Sequence, residues 1–114
     1  ILIGGSGEKK TLRLVAQYAD ACNLMGDPET VRRKLQILGE HCERLGRDYD
    51  SIEKTVLYSP DVGKDGEKAG QVIERLGAYA DAGVSTAIGA LRHCETMRPF
   101  EAMAKDVFPA IARL

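Results

Sequence analysis

The sequence predicts an α/β fold with a parallel sheet made of four βα units, and three features carry this prediction. Four short apolar runs alternate with four amphipathic stretches along the 114 residues, a pattern typical of strands that alternate with helices. The predicted strands begin roughly 20 to 32 residues apart, which is the size of a βα unit. Since a crossover of helix length separates each strand from the next, the strands are expected to run parallel. The motif YADA occurs at residues 18–21 and 79–82 and marks two similar helix-to-strand junctions, as expected when one unit recurs.

The first unit combines a strand over Ile1–Ile3, a glycine-rich turn, and a helix from about Lys10 to Ala19. The turn consists of Gly4, Gly5, Ser6 and Gly7. Glycines let the backbone approach a ligand closely, and the first N–H groups of a helix are unpaired and point at it. This combination is typical of a phosphate site. It is equally the pattern of an ordinary βα turn that needs positive φ, and the glycines alone leave both interpretations open.

The second unit pairs a strand over Ala21–Leu24 with the most clearly delimited helix of the chain. Asp27 is placed as N-cap, Pro28 occupies the first helical position, and Gly46 is placed as the glycine that ends the helix. Its apolar stripe is Val31, Leu35, Leu38, Cys42 and Leu45. The charged residues, Lys34 among them, are assigned mostly to the other faces.

The last two units are less sharply marked. A strand over Glu53–Tyr58 leads through a loop dense in Pro, Gly and Asp to a helix over Glu67–Ala82. A fourth strand follows over Val84–Leu91, and a final helix begins at Pro99. Pro109 is expected to bend or fray that helix near its end. The predicted buried side chains of this helix are Phe100, Met103, Val107, Phe108 and Ile111.

The composition of the chain argues against several classes of protein. The net charge is -1, aromatic residues make up 5% of the chain, and no basic stripe is present, so nucleic acid is not expected as a partner. No apolar run approaches the roughly 20 residues that span a bilayer, and no export signal is recognised. The three cysteines are odd in number and lack CxxC spacing, which favours a reduced, cytoplasmic setting.

Four βα units admit two architectures, a small open doubly wound sheet or half of a (β/α)8 TIM barrel. A complete barrel takes about 250 residues, and this chain has 114. The abrupt opening inside an apolar strand favours a single half-barrel domain over residues 1–114, but periodicity alone leaves the choice open.

Three segments carry a resemblance to a known family: LIGGSGEKKTLRLVAQYADACNL, GDPETVRRKLQILGEHCERLGRD and AYADAGVSTAI. Together they resemble the C-terminal half of the luciferase-like monooxygenase superfamily, in particular its F420-dependent oxidoreductases. The resemblance implies the C-terminal half of a (β/α)8 barrel that binds coenzyme F420, or alternatively FMN, and transfers a hydride between the cofactor and a small organic substrate. In such members the IGGSG turn contacts the phosphate-bearing tail of the cofactor. The implied binding residues are Gly4, Gly5, Ser6 and Gly7, with Lys9 or Lys10 as a charge partner.

For the other candidate residues, a purely structural role is at least as well supported by the sequence as a functional role. Asn23 lies near the C-terminal end of the second strand, where it is expected either to contact a cofactor or to satisfy neighbouring backbone. Arg92 follows the fourth strand and is either an anion-binding residue or an exposed loop arginine. Lys9 opposes the helix dipole, which indicates a nearby anion unless the side chain is simply solvated. Asp20 and Asp81 are assigned structural roles at the YADA junctions.

The remaining motifs carry no enzymatic assignment. The two His-Cys pairs, at residues 41–42 and 93–94, lack the second half of a zinc-ligand spacing, and Cys42 is expected in the core. Hydrolase and kinase motifs are absent from the sequence, so no catalytic residue is named.

A half-barrel leaves two strand edges and the barrel-lining face uncovered, so a homo-oligomer is expected. Two further interpretations of the chain stay open. One is a catalytically inert truncated fragment, and the other is a small α/β module that binds a phosphorylated ligand and is stabilised by self-association.

Overall fold

A computed structural model describes all 114 residues, and it confirms the predicted α/β class with four parallel strands. The elements in chain order are β1 (Leu2–Gly4), α1 (Thr11–Tyr18), β2 (Ala21–Leu24), α2 (Pro28–Leu45), β3 (Glu53–Leu57), α3 (Ala69–Ala82), β4 (Thr86–Ile88), α4 (Arg98–Ala102) and α5 (Phe108–Ile111). A 3₁₀ turn at Tyr49–Ser51 precedes β3, and a π-helical turn at Met103–Val107 joins α4 to α5. No helix combines the length and apolar composition needed to cross a bilayer.

The strand order decides between the two architectures. The sheet runs β1-β2-β3-β4, each strand parallel to the next in sequence. A doubly wound sheet reverses its strand order and carries helices on both faces, whereas a barrel adds each strand beside the previous one and keeps its helices outside. Here the helix-covered face is formed by Cys22, Leu24 and Val56, all fully buried. The sheet therefore has the winding of a half-barrel.

The opposite face, called the inner face below, is open. Gly4, Asn23, Thr55 and Thr86 lie in register across it, and the large apolar side chains on this face are substantially exposed. They are Leu2, Leu57 and Ile88. In a complete barrel this face is the packed interior.

Helix α2 follows its sequence signals closely. The Asp27 carboxylate accepts a hydrogen bond from the Thr30 N–H at 2.8 Å, Pro28 is the first helical residue, and Gly46 adopts φ 68° at the C-terminal end. An N-cap of this kind stabilises a helix by about 1 kcal/mol. The cap and the C-terminal glycine fix α2, the longest helix, against the sheet.

The buried side chains form two clusters. The larger lies between the outer face of the sheet and α1, α2 and α3, with Leu12, Leu24, Leu38 and Val56 at its centre. The smaller cluster includes Val62, Val72, Met103 and Val107, and it holds the C-terminal helices against α3. The C-terminal segment is thus anchored on a helix, not on β4.

Most observed boundaries lie within one residue of the predicted ones, whereas the fourth strand and the start of α3 differ by more. The fourth strand is confined to Thr86–Ile88, since Gly89 approaches the Tyr58 backbone so closely that a Cβ would lie 2.1 Å from its carbonyl oxygen. Beyond that point the chain follows the loop after β3. Helix α3 begins at Ala69, because Gly63 and Gly66 adopt φ 82° and 85° in the preceding turns. Gly4 is the last residue of β1.

The final helix also differs in what it buries. Met103 and Val107 are buried as predicted, but the prediction was wrong for Phe100 and Phe108, which are 44% and 54% exposed. The helix contacts α3 along one side only. The predicted apolar stripe is wide enough to include both aromatic side chains, and no second element covers the part of it that they occupy. Pro109 distorts the helix upstream of itself: it lacks an N–H and crowds the preceding turn, and Phe108 N–H donates to Met103 O across a π turn.

Candidate functional site

The glycine turn leaves the sheet beside the end of β2. Gly5 adopts φ 129°, and its N–H donates to the Asn23 carbonyl at 3.2 Å. A Cβ on Gly5 would lie 3.3 Å from Thr11 Cγ2, and one on Gly7 would lie 2.8 Å from Thr11 Oγ1. Thr11, the first residue of α1, therefore packs directly under the turn, and positions 5 and 7 require glycine for φ or for space.

The turn and the helix start present a row of backbone donors. The N–H groups of residues 6 to 10 donate to no backbone carbonyl, and the first bond of this segment runs from Leu12 N–H to Gly7 O at 2.9 Å. The N-cap position is Lys10, whose side chain forms no capping bond, and the first turn of α1 holds no acidic residue. Unpaired donors at a helix start favour an anion.

Side chains of helix α2 contact the glycine turn and the residue that follows it. Lys34 Nζ donates to the Ser6 carbonyl at 2.6 Å and lies 3.4 Å from the Glu8 carboxylate. His41 Nε2 lies 2.9 Å from the Glu8 carbonyl oxygen, and Arg33 Nε lies 3.7 Å from Glu8 Oε1. In a trans peptide the carbonyl and the following N–H point in opposite directions. The bond to Ser6 O therefore turns the Gly7 N–H away from α2.

Lys34 is a contributor that the sequence assignment missed. The residue is only 9% exposed and occupies a position three residues after Val31 and four before Leu38, which belong to the apolar stripe. A lysine at an apolar position is a detectable signal, because its ammonium group must find a buried acceptor. In this chain the acceptor is the backbone of the glycine turn.

The charge around the turn is positive. Lys9 and Lys10 are exposed and take part in none of the ion pairs of the chain, while the one acid of the turn, Glu8, is paired with Arg33 and Lys34. Because the helix dipole adds partial positive charge at the same end, the surroundings of the donors complement an anion.

Asn23 lies beside the turn on the inner face. It pairs in register with Gly4, and its Oδ1 lies 2.9 Å from Thr55 Oγ1. The same hydroxyl donates to the Cys22 carbonyl at 2.8 Å. Thr55 has a single hydroxyl proton to share between two acceptors. Asn23 is thus held by a side chain of β3, and the structure brings it together with Gly4 to Gly7.

Arg92 lies at the opposite edge of the sheet. Its N–H donates to the Pro60 carbonyl at 3.2 Å, in the loop after β3, and its side chain is exposed. Nearby, His93 adopts φ 61° and its Nε2 lies 3.3 Å from the Asp61 carboxylate. The Gly63 N–H, and then the charges of Lys68 and His93, hold the pKa of Asp61 below its usual value. Within one copy nothing brings Arg92 to the glycine turn.

The other residues singled out in the sequence have structural surroundings. Asp20 pairs with the amino group of Ile1. Cys42 is buried in the main core, as predicted, and burial raises its pKa. Tyr79 donates its hydroxyl to the Gly26 carbonyl at 2.7 Å, which ties α3 to the start of α2. Its YADA counterpart Tyr18 is exposed instead.

The fold and site define the chain as a (β/α)4 half-barrel with a glycine turn at the carboxyl end of its first strand. Solved structures match this fold. The coenzyme F420-dependent tetrahydromethanopterin reductase of Methanopyrus kandleri superposes with a TM-score of 0.73 at 11% identity, over 95% of this chain and 50% of the reductase. DmoA from Hyphomicrobium sulfonivorans superposes with a TM-score of 0.50 at 22% identity, over 73% of this chain and 18% of DmoA.

These likenesses show the fold, and the chain spans about half the length of the reductase. Scans against protein-family models and against curated proteins gave no match. The half-barrel architecture predicted from the sequence is confirmed by the structural match.

Proposed function

We propose that the chain is the C-terminal part of an F420- or flavin-dependent luciferase-like oxidoreductase and that Gly4, Gly5, Ser6 and Gly7 bind the phosphate-bearing tail of the cofactor. The observation that carries the proposal is the row of unpaired N–H groups at residues 6 to 10, at the carboxyl end of a parallel strand. Ligands of barrel enzymes bind at this end of the strands.

The residues present fit a phosphate group. The donors sit in a turn that Thr11 packs from one side and Lys34 braces from another, and Gly4 has nothing within 4 Å of a hypothetical Cβ. A phosphate can therefore approach the backbone, accept several N–H bonds and be neutralised by Lys9 or Lys10. We propose that Asn23, which pairs in register with Gly4 on the neighbouring strand, contacts the same ligand.

Coenzyme F420, or FMN in the alternative, would supply the hydride chemistry, exchanging a hydride with a small organic substrate. The chain's own contribution is to position the cofactor: the backbone donors fix its tail, and the exposed lysines add charge. We assign no catalytic base to this chain. The odd number of cysteines and their lack of CxxC spacing support the reduced, cytoplasmic setting that we propose for the chain.

The test is a fluorescence titration with F420 and with FMN, using inorganic pyrophosphate as competitor. Gly7→Ala places a methyl group 2.8 Å from Thr11 Oγ1 and disturbs the donors, whereas Gly70→Ala meets nothing within 4 Å and serves as the matched control. We expect Gly7→Ala to weaken binding by about tenfold or more, since one lost charge-assisted hydrogen bond is worth about 1.5–3 kcal/mol, and Gly70→Ala to leave it unchanged.

Two results would redirect the proposal. Binding of pyrophosphate with no preference for F420 or FMN would favour a small phosphate-ligand module. Absence of binding by either cofactor and by pyrophosphate at millimolar concentration would leave an inert fragment.

A further inference from the structure

Three successive carbonyl groups, from the end of the glycine turn and the residue after it, each accept a hydrogen bond from elsewhere in the chain. The pairs are Lys34 Nζ with Ser6 O at 2.6 Å, the Leu12 N–H with Gly7 O at 2.9 Å, and His41 Nε2 with Glu8 O at 2.9 Å. The N–H groups of residues 6 to 10, by contrast, donate to no backbone carbonyl. The segment therefore uses its acceptors within the fold and keeps its donors available.

His41 is a second contact from α2, and the sequence motif that contains it, His41-Cys42, has no other role in the site. A carbonyl oxygen only accepts, so the His41 ring donates and carries a proton on Nε2. His41 is half-buried and lies seven residues after Lys34. Seven residues are close to two helical turns, so both side chains leave α2 on the same side. Helix α2 therefore contacts this segment at two carbonyl groups that are two residues apart.

The second contact orients a second N–H group. No peptide bond of the chain is cis, and in a trans peptide the carbonyl and the N–H of the next residue point in opposite directions. The Gly7 N–H is turned away from α2 in this manner. Because His41 holds Glu8 O, the Lys9 N–H is turned away from α2 as well. Two donors in alternate peptides thus point to the same side of the turn.

We propose that His41 is a positioning residue of the phosphate site and that the Gly7 and Lys9 N–H groups are the donors that hold the phosphate. The inference rests on the proposed function, because it names the donors of that same site. Lys34 and His41 each fix one peptide before a ligand arrives, so the two donors lose little conformational freedom on binding. Donors that are oriented in advance bind an anion more tightly than mobile ones.

The contacts with α2 also draw negative groups away from these donors. The carbonyl oxygens of Ser6 and Glu8 carry partial negative charge and face α2. The Glu8 carboxylate lies 3.4 Å from Lys34 Nζ and 3.7 Å from Arg33 Nε, so it is held toward the same helix. A phosphate that accepts from the two N–H groups approaches from the opposite side, where the helix dipole of α1 adds partial positive charge.

The donors are identified by amide NMR spectra of the isotope-labelled wild-type chain, titrated with inorganic pyrophosphate. We expect the Gly7 and Lys9 N–H signals to shift more than those of Ser6, Glu8 and Lys10. If the other amides of the turn shift most, the inference is overturned while the phosphate site stands. If no amide of residues 4 to 11 responds at millimolar pyrophosphate, the phosphate site itself is refuted and the role of His41 falls with it.

A matched pair of variants isolates the hydrogen bond that His41 donates. His41→Gln keeps an N–H donor at a similar distance from the backbone, whereas His41→Met has a similar length and no donor. We expect His41→Met to weaken pyrophosphate binding about threefold to tenfold, the range expected for the loss of one neutral hydrogen bond. His41→Gln should recover most of that affinity. Equal affinities of the two variants would show that the donated bond does not matter for binding.

The amide responses separate positioning from a general loss of stability. His41→Met should reduce the pyrophosphate response of the Lys9 N–H and spare that of Gly7, and Lys34→Met should do the reverse. A variant that only loosens the fold lowers both responses together, and that result refutes the positioning role. If His41→Met does not fold, the wild-type titration and Lys34→Met, in which the Lys9 response must persist, still decide the inference.

Discussion

The contact between Lys34 and the glycine turn gives the sharpest single test of the site. Replacing Lys34 with Met keeps most of the buried stem and removes the ammonium group that donates to Ser6 O at 2.6 Å. Hydrogen bonds to charged groups contribute about 1.5–3 kcal/mol. Lys34 is buried but the turn is only partly so, which places the expected loss near the lower end, about 1.5–2 kcal/mol.

A loss of that size is measurable in two ways. For a chain of this length each kcal/mol lowers Tm by about 4 °C, so Lys34→Met should melt about 6–8 °C below wild type at fixed protein concentration. Affinity for F420, FMN or pyrophosphate should fall as well, because the Ser6–Gly7 peptide is no longer held with its N–H facing the ligand. Differential scanning calorimetry and the fluorescence titration provide the two measurements.

Arg33→Met is the matched control, since Arg33 contacts the same Glu8 carboxylate at 3.7 Å but its side chain is 63% exposed. An exposed pair of this kind contributes about 0–1 kcal/mol, so this variant should melt within a few degrees of wild type. If Arg33→Met destabilises the chain as much as Lys34→Met, or if Lys34→Met leaves ligand affinity unchanged, the bracing role of Lys34 is refuted.

Two further predictions concern groups whose pKa is displaced. The Thr30 N–H holds the pKa of Asp27 below its ordinary value. The stabilisation of α2 by this carboxylate is therefore complete above the unfolded-state pKa and is lost as pH falls through the lower folded-state pKa. Melting curves of Asp27→Asn, which keeps a capping side chain, should depend less on pH in that acidic range, and an unchanged pH dependence would contradict the assignment. Burial raises the pKa of Cys22 and Cys42. A thiol reagent at neutral pH should therefore label exposed Cys94 quickly and the two buried thiols only on unfolding. Rapid labelling of all three thiols in the native state would show that the core opens.

The order and type of the elements follow from local signals in the sequence. Apolar runs, helix-length crossovers and the Asp27–Pro28 start of α2 are properties of short segments, and the structure confirms them. The choice of a half-barrel over a doubly wound sheet depended on strand order, which is a long-range property. Periodicity does not contain that information, since both architectures use the same βα unit.

The burial predictions that were wrong concern residues whose exposure is decided by tertiary contacts. Phe100 and Phe108 satisfy a helical apolar stripe, but α3 covers only one side of their helix, so they remain exposed. Lys34 shows the opposite error. The prediction assigned it to the polar side of α2 because it is charged, but the Ser6 carbonyl accepts a hydrogen bond from its ammonium group and offsets the free-energy cost of burying it. The glycine turn was found as a motif, while the side chains that shape and brace it, Thr11 and Lys34, were not.

The polar side chains of the inner face bear directly on the free energy of covering that face. Burying polar groups is costly unless they are hydrogen-bonded, and the two threonine hydroxyls in the central row of this face already have partners within the chain. Thr55 shares its one hydroxyl proton between two acceptors on β2, the Cys22 carbonyl and Asn23 Oδ1, at 2.8–2.9 Å, and Thr86 donates to the Glu53 carboxylate at 2.8 Å. Glu53 begins β3, so its charge lies at the end of the barrel opposite the glycine turn, where the interior opens to water. Covering this face therefore removes mainly Leu2, Leu57 and Ile88 from solvent, and the hydrophobic effect favours the covered state.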